Sequence, residues 1–228
     1  MTKPILFSGA MVRAILDDRK DKTRRVVKDI PDCFENLVVE SFTHEQPFPG
    51  SYCYDSEYPE DGVIKLKDVY QPGMRLWVRE TWRPSTKSLP PGIEYKADNL
   101  LIWFDGNEPQ EARDTICKSS REGKWHPSIF MPRWASRITL EVVSVRVERL
   151  QEITEEDAVR EGVRDELKND TFYPAVYNFR TLWDSINGKK RYGYKIDPDT
   201  DKRYRYEKPY YPWDSNPFVW VVEFKRVR

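Results

Sequence analysis

The stretch DRKDKTRR, Asp18–Arg25, packs five basic side chains and one hydroxyl into eight residues. The like charges around Lys20 disfavour its protonated form, so a neutral amine becomes more accessible. The Thr23 hydroxyl, three residues further on, becomes a useful nucleophile only beside such a base. The stretch therefore indicates base and nucleophile chemistry, while on spacing alone a solvated basic turn is the simpler interpretation. Asp21 also offers Lys20 an ion-pair partner that would keep the lysine charged.

Glu161 is a second candidate because it lies in the last turn of a short predicted helix. The partial negative charge of a helix C-terminus disfavours a carboxylate there by ~0.3 to 1 kcal/mol. A carboxylate kept at that position could orient Lys20, transfer a proton or accept a hydrogen bond. The alternative is a surface ion pair of Glu161 with Arg160 or Arg164.

Arginines alternate with tryptophans in two further stretches, LWVRETW and MPRWASR. Guanidinium groups beside flat apolar rings are what the binding of an unstacked base requires. The residues concerned are Trp77, Arg79, Glu80, Trp82, Arg133, Trp134 and Arg137. The eight tryptophans of the chain have a second interpretation, because aromatic rings fill cores, and we expect about half of them there.

Local patterns predict the elements that must position these residues. Ser8 can cap an apolar helix that ends near Asp17, so the basic stretch begins where this helix stops. The pair Pro72-Gly73 predicts a turn that leads into a strand over 73–78.

The second half of the chain has equally clear local signals. A long strand is predicted over Ser136–Leu150, and its alternation slips at Val143, as at a bulge or bend. Thr154 and Asp157 form a capping box for a short helix that Gly162 ends. Two further elements are a helix over Tyr177–Ile186 and an apolar strand over Phe218–Phe224.

We expect one domain over residues 1–228 with three insertions, at about 31–67, 84–130 and 188–216. The first is predicted to hold little regular structure, the second two strands at Ile93–Lys96 and Leu100–Phe104, and the third a long polar loop. Short helices and the lack of a glycine-rich phosphate loop argue against a dinucleotide-binding fold. A mixed α+β fold, mainly β, with a small barrel fits the pattern.

Composition excludes several classes of protein. The balance of 38 basic and 38 acidic residues favours a small substrate or a local base-recognition pocket over coating of a duplex. Three widely spaced cysteines and two histidines argue against a disulfide framework or zinc site, and no metal or other cofactor is expected. No apolar run approaches the ~18 residues that span a bilayer, and the N-terminus predicts no signal peptide. We therefore expect a cytoplasmic protein without a membrane partner.

The stretch Asp18–Arg25 resembles the G-x-K-x-x-T-x-R signature of ASCH domains, which belong to the PUA-like superfamily, with Asp18 at the place of the leading glycine. The order of elements and the phrases WVRETW and PSIFMPRWASRI resemble the longer ASCH-like proteins of bacteriophages and prophages. The resemblance covers the whole chain. It implies a PUA-like small β-barrel with short flanking helices and long loop insertions, located in the cytoplasm of a bacterial host cell.

The resemblance to small bacterial ASCH enzymes implies an amidohydrolase that removes the acyl group from N4-acetylcytidine. Lys20 would be the general base, Thr23 the nucleophile that forms an acyl ester, and Glu161 an aid to proton transfer. Arg25 or a backbone N–H would hold the oxyanion. The residues expected to bind substrate or nucleic acid are Arg19, Lys22, Arg24, Arg25, Arg79, Glu80, Trp82, Arg133 and Trp134.

Two other functions stay open. One is a non-catalytic module that binds RNA or modified DNA, with the basic stretch on phosphates and a tryptophan on a base. The other is a phage protein that blocks a host defence by binding its protein or nucleotide signal. The partners expected across these alternatives are a modified nucleoside, RNA, single-stranded or modified DNA, or a protein.

Overall fold

The computed structural model describes residues 2–28, 37–42, 50–55, 64–65, 70–85, 91–117, 124–168, 171–196, 198 and 201–227. Within these residues the protein is a mixed α/β structure made mainly of strands in several sheets. This confirms the predicted class, mixed α+β and mainly β.

The described elements follow one another along the chain in short segments. The strands are β1 (Thr2–Leu6), β2 (Lys22–Val26), β3 (Leu37–Phe42), β4 (Gly50–Asp55), β5 (Ile64–Lys65), β6 (Arg75–Arg79), β7 (Trp82–Ser85), β8 (Gly92–Tyr95), β9 (Leu101–Trp103), β10 (Thr139–Arg149), β11 (Glu166–Lys168), β12 (Thr171–Tyr173), β13 (Arg191–Ile196), β14 (Arg203–Lys208) and β15 (Phe218–Arg226). The helices are α1 (Gly9–Leu16), α2 (Gln110–Cys117), α3 (Glu155–Arg160) and α4 (Ala175–Asn187). Short 3₁₀ turns lie at Ser128–Phe130, Arg133–Ala135, Leu150–Glu152 and Trp213–Ser215.

The largest sheet has five strands in the order β1-β6-β10-β15-β2. β1 runs parallel to β6, and β10 runs antiparallel to β6. A closed barrel requires hydrogen bonds between the two outer strands. Among the described residues no pairing joins β1 to β2, so the sheet is open and the predicted small closed barrel is not formed.

The chain divides into two compact units. Unit 1 comprises Met1–Lys22, Tyr70–Val145 and Val222–Arg228, and unit 2 comprises Thr23–Val69 and Arg146–Val221. Three of the four divisions fall inside strands, namely β2, β10 and β15. Each unit has a hydrophobic core of its own.

One hydrophobic cluster of unit 1 lies around the sheet β7-β8-β9 and helix α2. Trp82, Ile93 and Tyr95 from the strands are buried with Ala112 and Ile116 from α2, which stand four residues apart and so share one helix face. Strands β8 and β9 confirm the two strands predicted in the second insertion. Helix α2 was not predicted, because its few apolar residues stand among charged ones.

The core of unit 2 forms where α3 and α4 pack beside Trp213 and the strand residues Val219 and Val221. Phe179 and Trp183 lie one helical turn apart on the buried face of α4. The predicted helix is confirmed, but Ile186 is 49% exposed, so the apolar stripe is shorter than its sequence pattern suggests.

Two of the predicted insertions contain more strand than expected. β3, β4 and β5 form an antiparallel sheet within 31–67, where little regular structure was predicted. β13 and β14 pair antiparallel within 188–216, where a polar loop was predicted. The last two strands lack an apolar face because tyrosines alternate with charged residues, which concealed their strand period.

The predicted helix starts are confirmed. Ser8 accepts a hydrogen bond from the Met11 N–H at 3.4 Å before α1, and Thr154 accepts one from the Asp157 N–H at 3.1 Å before α3. Gly162 takes a positive φ of 89° after α3, a conformation that favours glycine. Phe218–Arg226 contains the predicted terminal strand.

Candidate functional site

The basic stretch begins at the C-terminal end of α1. Asp18 has φ 54°, in the left-handed region that glycine favours and aspartate tolerates. The N–H groups of Arg19 and Lys20 both donate to the Ala14 carbonyl, at 2.8 and 3.0 Å. These bonds reverse the chain and direct it into β2.

Two lysines of this stretch are buried in unit 1. Lys20 is 4% exposed, its Nζ donates to the Lys22 carbonyl at 2.6 Å, and it lies 5.4 Å from the centre of the Phe7 ring. Lys22 is 6% exposed and pairs with Glu223 at 3.2 Å. A buried lysine amino group requires such partners, because removal of a polar group from water is costly. The stretch is therefore not the solvated basic turn that its spacing alone suggested.

Thr23 and Arg25 meet in unit 2. Thr23 is buried, and its Oγ1 accepts a hydrogen bond at 2.8 Å from Arg25 Nη1, which also donates to the Arg24 carbonyl. A guanidinium group thus lies beside the predicted nucleophile.

Arg24 is the centre of a buried cluster in unit 2. Its guanidinium donates to Glu148 at 2.5 Å, to Asp157 at 2.8 Å and to Glu161 at 3.4 Å. Arg146 pairs with Glu148 at 3.0 Å on the more exposed side. Arg24 and Arg146 thus contact the carboxylates of Glu148, Asp157 and Glu161. Arg24 Nε is buried and has no hydrogen-bond partner within the described part of the chain.

Glu161 caps the C-terminal end of α3 and is 4% exposed. The structure places its carboxylate inside the fold beside Arg24, so Glu161 is not a surface carboxylate. The Coulomb attraction of Arg24 offsets the unfavourable helix terminus. Asp157, predicted to cap α3 through its carboxylate, directs that carboxylate to Arg24 as well.

Arginines also meet a tryptophan in unit 1. Trp77 is buried, with the guanidinium groups of Arg79 at 4.7 Å and Arg133 at 5.8 Å from its ring centre. Arg79 Nη1 donates to the Ile129 carbonyl at 3.2 Å, and Arg133 is exposed. Of this predicted Arg and Trp set, Arg133 is thus the cation presented to solvent. Arg19, in the basic stretch, is partly exposed and pairs with Asp17 at 2.9 Å.

Glu80 and Arg137 form a buried fork in unit 1. Arg137 donates through Nε and Nη2 to the two carboxylate oxygens of Glu80, at 2.8 and 2.9 Å, and through Nη1 to Asp98 at 2.8 Å. Burial raises the pKa of Glu80, and Arg137 opposes this only in part. Burial works against the charged form of Asp98 too, but hydrogen bonds from Arg137 and the Leu100 N–H hold its pKa below the ordinary value. Burial likewise opposes the charge on Arg137, yet its two carboxylate partners raise the pKa of the guanidinium.

Trp82 belongs to the core of unit 1. It is 2% exposed, its ring stacks on His126 with centroids 5.0 Å apart, and Trp134 meets it edge-on at 5.8 Å. The indole N–H groups of Trp82 and Trp134 are buried without a hydrogen-bond partner among the described residues. These rings support the core interpretation of the tryptophans.

The carboxylates that surround Arg24 were missed in the sequence except for Glu161. Glu148 lies near the end of β10 and Asp157 in the first turn of α3. The sequence predicted Asp157 only as a helix cap, and no pattern around Glu148 predicts a role for that residue. No group of histidines, cysteines and carboxylates among the described residues has the arrangement of a metal site.

Comparison with protein-family models, with curated proteins and with solved structures found no significant match to this chain. None of the helices in the described ranges is long and apolar enough to cross a membrane.

Proposed function

We propose that the chain recognises a modified nucleoside, free or within a nucleic acid, and removes an N-acyl group such as that of N4-acetylcytidine. Lys20 is the general base, Thr23 the nucleophile, and Glu161 aids proton transfer. The observation that carries this proposal is the burial of all three, which are 4%, 1% and 4% exposed. A solvated turn would expose such polar side chains. Their burial therefore supports a functional site rather than a surface turn.

The conformation of the basic stretch supports the resemblance to ASCH domains and the PUA-like superfamily. The signature's leading glycine corresponds to Asp18, whose φ of 54° is a conformation that favours glycine. Helix α1 ends directly before the signature, and the stretch enters β2 at the edge of the five-stranded sheet.

The reaction proceeds through an acyl ester. Lys20 takes the hydroxyl proton of Thr23 as the oxygen attacks the acyl carbonyl, and Arg25 stabilises the oxyanion. The C–N bond then breaks, and the amino group of the nucleobase leaves and takes the proton from Lys20. Water attacks the ester, which releases the carboxylic acid and restores the Thr23 hydroxyl.

The test is turnover of N4-acetylcytidine and a panel of other acylated nucleosides, followed by chromatography of the products. Thr23→Val removes the nucleophile and Lys20→Gln removes the base, and each is expected to lower turnover about 100-fold or more. Thr139→Val is the matched control, because Thr139 is also a buried strand threonine at 8% exposure. If wild-type protein turns over none of the acylated nucleosides, the proposed enzyme is excluded.

A non-catalytic binding module is the second candidate. It is favoured by the ion pair of Glu161 with Arg24, because a carboxylate held by a guanidinium is poorly placed to move protons. In that case the protein would bind a modified nucleoside without altering it. Calorimetric titration with N4-acetylcytidine, with chromatography of the same sample afterwards, distinguishes the two candidates.

A further inference from the structure

Strands β13 and β14 form a two-stranded ribbon in unit 2, here called the ribbon. Its register runs from Arg191 opposite Lys208 to Ile196 opposite Arg203. Among the described strands no third one pairs with it. Three of its four tyrosines are accordingly exposed, Tyr192 at 47%, Tyr194 at 60% and Tyr204 at 45%, and Tyr206 is half-buried. So many exposed rings on one short element are unusual unless the surface binds a partner.

One face of the ribbon combines two tyrosines with two arginines. Opposed and alternate residues share a face, so Tyr192 and Tyr194 lie with Arg203 and Arg205. The Arg205 guanidinium lies 3.7 Å from the Tyr192 ring centre, and that of Arg203 lies 4.1 Å from the Tyr194 ring centre. These diagonal contacts hold flat cationic groups beside exposed rings.

The opposite face repeats this chemistry. Tyr204 and Tyr206 share it with Lys195, whose Nζ lies 4.6 Å from the Tyr206 ring centre. Gly193 stands opposite Tyr206, and a Cβ there would lie 2.7 Å from atoms of the Tyr206 ring and of the Lys208 side chain. The glycine therefore leaves room for side chains to lie across the strand.

The charge of the ribbon departs from that of the chain. Its two strands, RYGYKI and RYRYEK, hold five basic residues and one acidic residue, and the residues that join them, 197–202, add one basic and three acidic residues, whereas the whole chain holds 38 of each. The strands therefore carry a net charge of +4, and residues 191–208 one of +2. A positive, exposed and aromatic surface is complementary to a polyanion with flat groups.

We propose that the ribbon binds single-stranded nucleic acid, with bases stacked on its tyrosines and phosphates held by its arginines and lysines. Every base has a π-face, so stacking on tyrosines needs no particular sequence. A duplex is the poorer fit, because its base faces are covered by neighbouring pairs and only the edges are open in the grooves. The ribbon uses residues other than Lys20 and Thr23, so this proposal does not depend on their proposed chemistry.

The experiment measures fluorescence anisotropy of a labelled 20-nucleotide strand of mixed sequence, and of the duplex that it forms with its complement. We expect the single strand to bind more tightly, and its log affinity to fall with log salt at about −0.7 per phosphate contact. Tighter binding of the duplex, or no binding of the single strand at low salt, would overturn the proposal.

Variants of the full chain locate the binding surface. Tyr194→Ala is expected to lower single-strand affinity about 5-fold to 100-fold, whereas Tyr194→Phe keeps the stacking ring and the affinity. Tyr177→Ala is the control, since Tyr177 on α4 is 51% exposed and lies in the same unit. Unchanged affinity in Tyr194→Ala would overturn the assignment.

A second variant changes charge instead of a ring, because loss of the ribbon's structure in Tyr194→Ala would also lower its affinity for the single strand. The double variant Arg203→Gln with Arg205→Gln keeps the tyrosines, and removal of two phosphate contacts is expected to reduce the salt slope by about 1.4. Circular dichroism of each variant checks that the strands remain. An unchanged salt slope in the folded double variant would contradict the proposal.

Discussion

Two buried arginines, one in each unit, hold clusters of carboxylates in different ways. In unit 1 Arg137 divides its donors between the Glu80 fork and Asp98, and its guanidinium lies 4.2 Å from the Tyr95 ring centre. In unit 2 Arg24 faces three carboxylates, while its Nε has no hydrogen-bond partner in the described ranges.

The difference separates a structural ion pair from a candidate site. A buried network in which each donor nitrogen makes a hydrogen bond fixes one arrangement of its elements, as Arg137 does for Glu80 and Asp98. A buried donor without a hydrogen-bond partner is rare and calls for an explanation, and among the described residues Arg79, Trp82 and Trp134 of unit 1 have such donors as well. Arg24 differs from these residues because it adjoins Thr23 and Arg25, so its unpaired Nε lies in the same stretch as the proposed nucleophile.

Replacement of Arg24 is expected to have the largest effect on stability. Arg24→Met keeps the approximate volume but leaves Glu148, Asp157 and Glu161 without their shared cation, so the free energy of unfolding should fall by about 4 to 5 kcal/mol. Urea denaturation measures this loss. Arg19→Met is the control, because the ion pair of Arg19 is on the surface and contributes about 0 to 1 kcal/mol. A loss of similar size in both variants would show that the buried Arg24 cluster stabilises unit 2 no more than a surface ion pair does.

Replacement of Arg137 should cost less, about 3 kcal/mol, although its cluster is also buried. In Arg137→Met the Asp98 side chain, which is 30% exposed, can regain water. Burial already raises the pKa of Glu80, so that carboxyl can become neutral by binding a proton. The same urea denaturation ranks the two variants. A larger loss for Arg137→Met than for Arg24→Met would reverse the comparison.

The parts of the fold that could be predicted are those with strong local signals. Ser8 and Thr154 mark helix starts through their own side-chain caps, and Phe218–Arg226 is apolar enough to read as a strand. The sequence did not predict the strands of the ribbon, because tyrosines alternate there with charged residues. Neither face of the ribbon is therefore the apolar face by which a strand is usually predicted. The tyrosines at 192 and 194, and again at 204 and 206, were the available signal, since a spacing of two is the period of a strand.

Only the part of the candidate site that lies within one short stretch of the chain could be predicted from the sequence. Lys20 and Thr23 attracted attention through residue type and spacing, and the structure shows both to be buried. The carboxylates Glu148 and Glu161 lie more than a hundred residues from Arg24 in sequence. Their meeting depends on how strands and helices of unit 2 pack, and no local pattern encodes such a pairing.

The smallest expected effect concerns the pH dependence of the two carboxylates that share Arg137. The pKa of Glu80 is raised above its ordinary 4.5 by burial, whereas the pKa of Asp98 is lowered below 3.8, because hydrogen bonds from Arg137 and the Leu100 N–H outweigh its partial burial. The contribution of Glu80 to stability is therefore complete below pH 4.5 and is lost as pH rises through its raised pKa. The contribution of Asp98 is present above pH 3.8 and is lost as pH falls.

The variants Glu80→Gln and Asp98→Asn should consequently show opposite trends in urea denaturation between about pH 3 and 8. Relative to Glu80→Gln, the wild type should lose stability as pH rises from 4.5. Relative to Asp98→Asn it should lose stability as pH falls below 3.8, by less than about 1 kcal/mol because Asp98 is partly exposed. Loss of stability as pH falls in both comparisons would mean that Arg137 outweighs burial at Glu80 as it does at Asp98. Glu80 would then stay charged in Arg137→Met, and the smaller loss of stability expected for that variant would lose its physical reason.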